Sequence, residues 1–513
     1  MIKRTNTSQA TLDFDFTLCP HLSRHNRWVH LADLIPWKEL SAIYEESLSK
    51  DKGAPTIPSR IVIGALIIKH LKNLSDEETI EDIRENPYYQ YFLGYSSFRD
   101  RQVFAPSLFV EIRKRLGPEK LTRINETFLK LTESKDDELD LPDRGGSTAK
   151  DSEHDHHGML IMDATVAPQD ITYPTDVGLL NKAREKLEAI IDELWQAKPG
   201  DIKPRTYRRQ ARKQYLTFSR KRNPRKKTIR KALRKQLSYV RRDLNHINRM
   251  LDSYTGAFPL SSVQQRHLWI ITELFRQQEI MYKTGTHSIP DRIVSIAQPH
   301  VRPIVRGKAK AKTEFGAKIS ASIVDGKVYL DRLSWDAYNE SEDLREAVER
   351  YKKRFGYYPE SVNADKIYWN RDNRNYLKKR GIAMYGGSPL GRPSQTRTRE
   401  EKRHHKQESI KRNRIEGVFG LSKRRYGLER VMAKTRKTSE SWIAMVIFII
   451  NVAGVCRDKI LALFFPIHQV REVGFCSIFH NIPIKLIKML MFGRGKKWLN
   501  QLQNVSVFSI PAF

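Results

Sequence analysis

The sequence predicts a multi-domain protein of mixed α+β and α/β class, in which a helical amino-terminal domain precedes a mixed-sheet core interrupted by a basic helical insertion. Three observations predict this class: helical apolar periodicity up to about residue 132, short apolar strands after residue 158, and a cationic helical stretch within 180–283. With 513 residues the chain is long enough for several domains. The expected segments are 1–132, 133–157, 158–455 and 456–513.

The first segment carries helix signals. Ser75 and Glu78 form the S-x-x-E pattern of a capping box, and apolar helical patterns continue through 107–131. We therefore interpret residues 1–132 as a compact helical DNA-binding domain with helix-turn-helix character. Residues 133–157 are polar, acidic and without periodicity, which predicts a flexible linker.

Beyond the linker the apolar pattern becomes strand-like. The run Met159–Met162 is typical of a buried strand that ends at Asp163. Residues 314–336 alternate apolar and polar side chains about Asp325-Gly326, a pair that favours a tight hairpin turn. The remaining elements are expected to be helices at about 340–355, 369–380 and 400–425 and strands at about 360–364 and 382–385.

The charge distribution indicates a polyanionic partner. The net charge is +33, and Lys198–Arg249 holds twenty Lys or Arg against two acidic residues. A second window, Arg392–Lys437, holds sixteen against five. Because few acidic side chains can pair with these cations, we favour nucleic acid as the partner over a merely solvated basic face. Aromatic residues that suit stacking on bases are interleaved with the first window: Tyr207, Tyr215, Phe218 and Tyr239.

Simple features disfavour other classes. The chain has three cysteines and no C-x-x-C pair, which argues against a disulfide scaffold and a zinc ribbon. The amino terminus lacks the apolar region of a signal peptide, and the apolar stretch Trp442–Cys456 is short for a membrane span. No apolar stripe runs through RRQARKQ or SRKRNPRKK of the first basic window, so we expect no membrane partner.

Three carboxylates suggest a metal site. Asp163 and Asp365 each follow a predicted strand, and strand ends at one sheet edge place such side chains close enough to share divalent ions. Arg412, Glu416 and Lys423 are spaced to lie on one face of the last basic helix. Taken singly, the aspartates are also explained as cap residues, and Arg412 with Glu416 as a plain salt bridge.

Four stretches of the sequence together resemble a known family: IMDATVAPQDITYPTDVGLLNKARE, RIVSIAQPHVRPIVRGKAKAKTEFGAKISASIVDGKVYLDRLSWDAYNES, PESVNADKIYWNRDNRNYLKKRGI and RNRIEGVFGLSKRRYGLERV. Over about residues 10–455 the chain resembles bacterial insertion-sequence DDE transposases, whose catalytic core is ribonuclease-H-like. The resemblance implies a catalytic and metal-binding triad of Asp163, Asp365 and Glu416, with Mg²⁺ as the cofactor and Mn²⁺ as its substitute. Many relatives carry Tyr-x2-Arg-x3-Glu-x6-Lys on the last helix, and Ser409 stands at the tyrosine position here.

The resemblance also implies an activity and its partners. Such enzymes cut at the ends of their insertion sequence and join the 3′-OH ends to target DNA, so terminal repeats and target, both double-stranded, are the expected partners. Synapsis of two ends implies a homodimer, located in the bacterial cytoplasm at the nucleoid. The residues expected to bind DNA are Arg412, Lys423, Arg424, Arg208, Arg209, Arg212, Lys213, Arg222, Arg225 and Lys226.

Several alternatives stay open on the sequence. A metal-dependent endonuclease of the same fold would cut without joining, a sequence-specific DNA-binding protein would use the carboxylates structurally, and RNA binding would require a module that is not recognisable here. Asp170 or Asp372 replaces a triad member if the strand register differs. The cluster His154-Asp155-His156-His157 falls in the linker without a cysteine partner, so we expect no metal site there.

Overall fold

The structure is a computed structural model, and it describes residues 22–46, 48–49, 56–137, 156–196, 202–254, 257–305, 313–386 and 399–464. Residues Met1–Ala453 form one compact unit and Gly454–Phe513 a second, of which residues 454–464 are described and are helical. Most of the expected linker, including His154 and Asp155, and most of the expected tail lie outside the described residues.

The amino-terminal part of the chain is helical, as its periodicity predicts. Its helices are α1 (Arg27–Leu34), α2 (Trp37–Glu45), α3 (Ser59–Lys72), α4 (Asp76–Glu85), α5 (Pro87–Phe92) and α6 (Leu108–Asp137). The predicted capping box starts α4: Glu78 N–H donates to the Ser75 hydroxyl, and Ser75 N–H donates to the Glu78 carboxylate. Gly117, with φ 65°, kinks α6 just before Pro118.

A mixed sheet follows. Its strands are β1 (Met159–Pro168), β2 (Arg302–Val305), β3 (Thr313–Val324), β4 (Lys327–Ser334), β5 (Ser361–Asn363) and β6 (Ala383–Tyr385). The order is β2-β3-β1-β5-β6, with β4 also paired to β3; β1 runs antiparallel to β3 and parallel to β5. Asp325 (φ 48°) and Gly326 (φ 82°) form the turn between β3 and β4, which confirms the predicted hairpin.

The first strand is longer than its sequence suggests. The expectation that it ends at Asp163 is wrong, because β1 continues to Pro168 and Asp163 pairs with Ala321 in the middle of the antiparallel ladder with β3. The twelve-residue β3 offers hydrogen-bond partners along the whole of β1. These partners override the weak strand preference of an aspartate.

A separate helical group is inserted between β1 and β2: α7 (Asp176–Gln196), α8 (Arg208–Ser219), α9 (Lys226–Asp252) and α10 (Ser262–Thr284). Leu187 and Ile191 of α7 share an apolar cluster with Leu244 of α9 and Ile271 of α10. The group therefore has its own core, and the cationic stretch of the sequence lies on α8 and α9.

The remaining helices are α11 (Asp343–Phe355), α12 (Arg371–Lys379), α13 (Arg399–Lys411), α14 (Asn413–Tyr426) and α15 (Arg436–Phe464), with short 3-10 turns at Glu340–Glu342 and Lys366–Tyr368. The single helix predicted at 400–425 is two helices that meet at Arg412. There the Arg412 N–H bonds to the Ser409 carbonyl at 3.3 Å, an i→i−3 bond that tightens the turn between α13 and α14.

The long helix α15 belongs to the core. By length and composition alone, Arg436–Asp458 is a candidate membrane span, but most of it is buried inside the protein. Phe448 packs edge-on against Phe128 of α6, with ring centres 5.5 Å apart. The Asn451 amide donates to Asn125 Oδ1 of α6 and to the Val328 carbonyl of β4, both at 2.7 Å. These contacts tie the amino-terminal helices to the sheet.

Candidate active site

The parallel strands β1 and β5 bring two aspartates to the same corner of the sheet. The pairing register ends with Ile161 opposite Asn363. Asp163 and Asp365 each follow this last pair by two residues, and the charge of Asp365 contributes to the pKa of Asp163, so the two carboxylates lie near each other. The sequence predicted that both residues lie at this edge of the sheet, but it placed Asp163 at a strand end, whereas the structure places it mid-strand.

Asp163 is the more enclosed of the two carboxylates. Its Oδ1 accepts the Ala164 N–H at 2.8 Å. Burial raises the pKa of Asp163 to about 6; the charges of Glu340 and Asp365 raise it further, while the Ala164 hydrogen bond and the Arg412 charge oppose the shift. Because burial makes the ionised form of this carboxyl costly, a nearby cation would stabilise it.

Asp365 starts the 3-10 turn that follows β5. Its Oδ1 accepts the Lys366 N–H at 2.7 Å, and the side chain is 52% exposed. A cap role therefore exists, as the plainer interpretation of the sequence holds, yet half of the carboxylate faces solvent at the corner beside Asp163.

Glu416 is connected to Asp365 by a shared ion pair with Arg412. The Arg412 Nη2 lies 2.9 Å from Glu416 Oε1, and its Nη1 lies 3.7 Å from Asp365 Oδ1. The helix α14, which carries Glu416, contacts both β1 and α3, and its Ile415 and Phe419 are buried. The predicted i,i+4 salt bridge between Arg412 and Glu416 is present, and the same guanidinium also forms an ion pair with Asp365.

A cleft of about 290 Å³ opens beside Asp365. It is lined by Asp365, Lys366, Gly386, Lys406, Ser409, Ile410, Arg412 and Asn413. Gly386 has φ 95°, and a Cβ there would collide with the Ala364 carbonyl, so β6 can end this close to β5 only with glycine. Ser409, which stands at the tyrosine position of the signature, faces the cleft, and with Lys366, Lys406 and Arg412 the walls suit an anionic ligand.

Sequence reasoning missed Lys366, Lys406 and Glu340. The turn that carries Glu340 packs against the turn that Asp365 caps, and Glu340 pairs with Lys318 of β3 at 3.0 Å. A tertiary contact brings Glu340 here, and the local sequence carried no signal for it.

The alternative triad members do not reach this corner. Asp170 lies past the end of β1 and pairs with Arg430 at 2.8 Å, and Asp372 is exposed on the first turn of α12. All three candidate ligands are carboxylates, a donor set that suits a hard divalent cation. Within the described ranges, no three His, Cys, Asp or Glu side chains, including His156 and His157, group closely enough to hold a metal ion.

The basic residues expected to bind DNA differ in their surroundings. The exposed ones on and between α8 and α9 are Arg209, Arg212, Lys213, Arg222, Arg225 and Lys226, and Arg424 is exposed on α14. Arg208 instead forms a two-pronged ion pair with Asp192 of α7, at 2.7 and 2.9 Å, and Lys423 is half-buried. Tyr239 is buried, so it cannot stack on a base, whereas Tyr207 is 47% exposed.

Comparison with known proteins points to transposases. A family model described as a transposase DDE domain matches residues 362–453, which include Asp365 and Glu416 but not Asp163. A second model, described as a transposase domain (DUF772), matches residues 17–115. A curated relative, the uncharacterized protein ORF8 in the nfe locus of Rhizobium meliloti, is 31% identical over 159 residues, which are 31% of this chain and 70% of the relative. No solved structure matches the chain significantly.

Both family models describe transposase domains. The chain belongs to the bacterial insertion-sequence transposases of the DDE type.

Proposed function

We propose that this transposase cuts DNA at the ends of its insertion sequence and joins the 3′-OH ends to target DNA, on a ribonuclease-H-like core with Asp163, Asp365 and Glu416 as its catalytic carboxylates. The observation that supports the proposal is the shared position of Arg412: its guanidinium lies 3.7 Å from Asp365 and 2.9 Å from Glu416, and its charge, like that of Asp365, influences the pKa of Asp163.

The donor chemistry fits Mg²⁺, with Mn²⁺ as its substitute, and the three carboxylates would hold it. When bound, divalent ions supply the positive charge that makes water a nucleophile and stabilises the leaving 3′ oxygen. No covalent link between protein and DNA is needed, so the chain has to position phosphates and needs no nucleophilic side chain. Arg412 and Lys423 are proposed to hold phosphates next to the cut.

We propose that the helical group α7–α10 binds the DNA backbone at a distance from the cleavage point. Its exposed cations on α8 and α9 have few acidic neighbours, so their charge is available to phosphates. Synapsis of two ends requires two active sites, and we propose a homodimer as the smallest working assembly.

Cleavage and joining of labelled end DNA with Mg²⁺ test this function. Asp163→Asn, Asp365→Asn and Glu416→Gln should each abolish both products and leave DNA binding unchanged, because the isosteric replacements remove the charge that metal binding needs. Asp372→Asn, an exposed aspartate on α12, is the matched control and should keep activity.

The competing functions give different results in the same assay. A cut product that is never joined indicates an endonuclease. Specific DNA binding without cutting, in wild type and variants alike, indicates a DNA-binding protein and contradicts the proposal. Equal loss of DNA binding in all three variants would show that the carboxylates are structural.

A further inference from the structure

Arg412 occupies an unusual place for a residue expected to bind DNA. Its guanidinium lies between two of the proposed metal ligands, 2.9 Å from Glu416 Oε1 and 3.7 Å from Asp365 Oδ1, and its side chain is only 21% exposed. The residue sits where α13 meets α14, and its guanidinium lies between the carboxylate that caps a 3-10 turn, Asp365, and the helix carboxylate Glu416. In this arrangement Arg412 serves as the counter-ion of the acidic corner.

A guanidinium and a divalent cation compete for the same oxygens. Two of the three carboxylates proposed to bind Mg²⁺ are ion-paired with Arg412, and over the described part of the chain no acidic trio is close enough to hold a metal. Metal binding therefore has to displace the guanidinium from Asp365 and Glu416. As long as Arg412 has no other anionic partner, this displacement weakens the binding of the metal.

The cleft offers Arg412 such a partner. Arg412, Lys366 and Lys406 line the same cleft, so a phosphate that enters it lies within reach of the guanidinium. Arginine binds phosphate through two parallel hydrogen bonds, which makes phosphate a strong competitor for this side chain.

Building on the proposed function, we infer that Arg412 is a positioning residue that couples DNA binding to metal binding. In the free protein it is the shared cationic partner of Asp365 and Glu416. When a DNA phosphate enters the cleft, Arg412 turns to the phosphate and releases both carboxylates for the metal. The acidic site thus becomes a good metal site only where DNA is in place.

Thermodynamic linkage makes the inference quantitative. If DNA raises the affinity for metal by some factor, metal raises the affinity for DNA by the same factor; couplings of this kind are typically about 5- to 150-fold. Removing the guanidinium should remove most of the factor, because the competition no longer exists. The same change should tighten metal binding to the DNA-free protein.

Terbium luminescence of the full chain without DNA tests the first part. Trp369 donates a hydrogen bond to the Ala364 carbonyl at 3.2 Å, next to Asp365, so it sensitises Tb³⁺ bound at this corner. Arg412→Gln should bind Tb³⁺ at least about fivefold more tightly than wild type. Arg414→Gln, the same charge change at an exposed position of α14, is the matched control and should bind like wild type.

A second variant guards against misfolding. Arg412→Lys keeps the charge near the carboxylates and should bind Tb³⁺ nearly as weakly as wild type, whereas a merely disordered site would make it resemble Arg412→Gln. Equal Tb³⁺ affinity of Arg412→Gln and Arg414→Gln overturns the inference.

DNA affinity measured with and without Ca²⁺ tests the coupling. By fluorescence anisotropy of a labelled end duplex, Ca²⁺ should strengthen wild-type binding severalfold and Arg412→Gln binding much less. The same Ca²⁺ effect in both proteins overturns the inference. If Tb³⁺ binding to Arg412→Gln survives the further change Asp365→Asn, the proposed metal site itself is wrong, so the two failures are distinguishable.

Discussion

Asp163→Asn is expected to stabilise the metal-free protein at neutral pH. Burial raises the pKa of Asp163 from 3.8 to about 6, so ionisation at neutral pH costs free energy in the folded state. A shift of about two pH units corresponds to roughly 3 kcal/mol, at ~1.4 kcal/mol per unit. Asparagine keeps the size and the carbonyl oxygen that accepts the Ala164 N–H, and it removes the charge.

The pH dependence has a definite sign. Between pH 3.8 and about 6 the folded carboxyl binds more protons than the unfolded one, so wild-type stability falls as the pH rises through this window. Above the window the penalty is constant, and below it the penalty vanishes. The advantage of the Asp163→Asn variant should therefore grow between about pH 4 and pH 6 and then stay level.

Thermal unfolding in EDTA at several pH values measures this advantage. At about 2.1 cal/mol/K per residue, the entropy of unfolding of the compact unit Met1–Ala453 is about 0.95 kcal/mol/K, so a gain in Tm of about 3 °C is expected above pH 7. Asp372→Asn, exposed on α12, should give no gain. An unchanged Tm of Asp163→Asn at about pH 7.5, or a gain as large near pH 4 as at neutral pH, would refute the reasoning.

Two further predictions concern the sheet and the basic helices. Gly316→Ala should lower Tm by an amount equivalent to at least about 1–3 kcal/mol, because its Cβ would collide with a backbone carbonyl of β1, whereas Gly417→Ala meets no atom within 4 Å and should be neutral or stabilising. Replacing Arg212 and Lys213 by Gln should reduce the slope of log affinity for duplex DNA against log salt concentration by about 2. Arg208→Gln should change this slope little, because Arg208 is already ion-paired with Asp192. Identical slopes in all these proteins would count against phosphate contacts on α8.

Local chemistry made part of the fold predictable. The capping box at Ser75 and the hairpin turn at Asp325-Gly326 depend on residues within a few positions of each other, and both are present in the structure as expected. The spacing of Arg412 and Glu416 likewise foretold their salt bridge. These features need no knowledge of distant parts of the chain.

Tertiary contacts decided the rest. The aspartate after an apolar run predicted the end of a strand at Asp163, but β1 continues beyond it because it pairs with β3. Helical periodicity continues through residue 412, so the sequence could not reveal the turn that aims Arg412 at Asp365. Glu340 and Lys406 are far from the aspartates along the chain and join the site only through packing.

The buried amide of Asn451 has a consequence for the distance along DNA between the recognised sequence and the cleavage point. It joins α6 to β4, and the amino-terminal helices cannot swing away from the sheet without leaving buried polar groups unpaired. If those helices bind the terminal repeat, the distance from the recognised sequence to Asp365 is fixed by packing. The protein would then hold the repeat and the active site at a fixed separation. If half a helical turn of DNA is inserted between the repeat and the cleavage point, the cut should fall at a different base but at the same distance from the repeat.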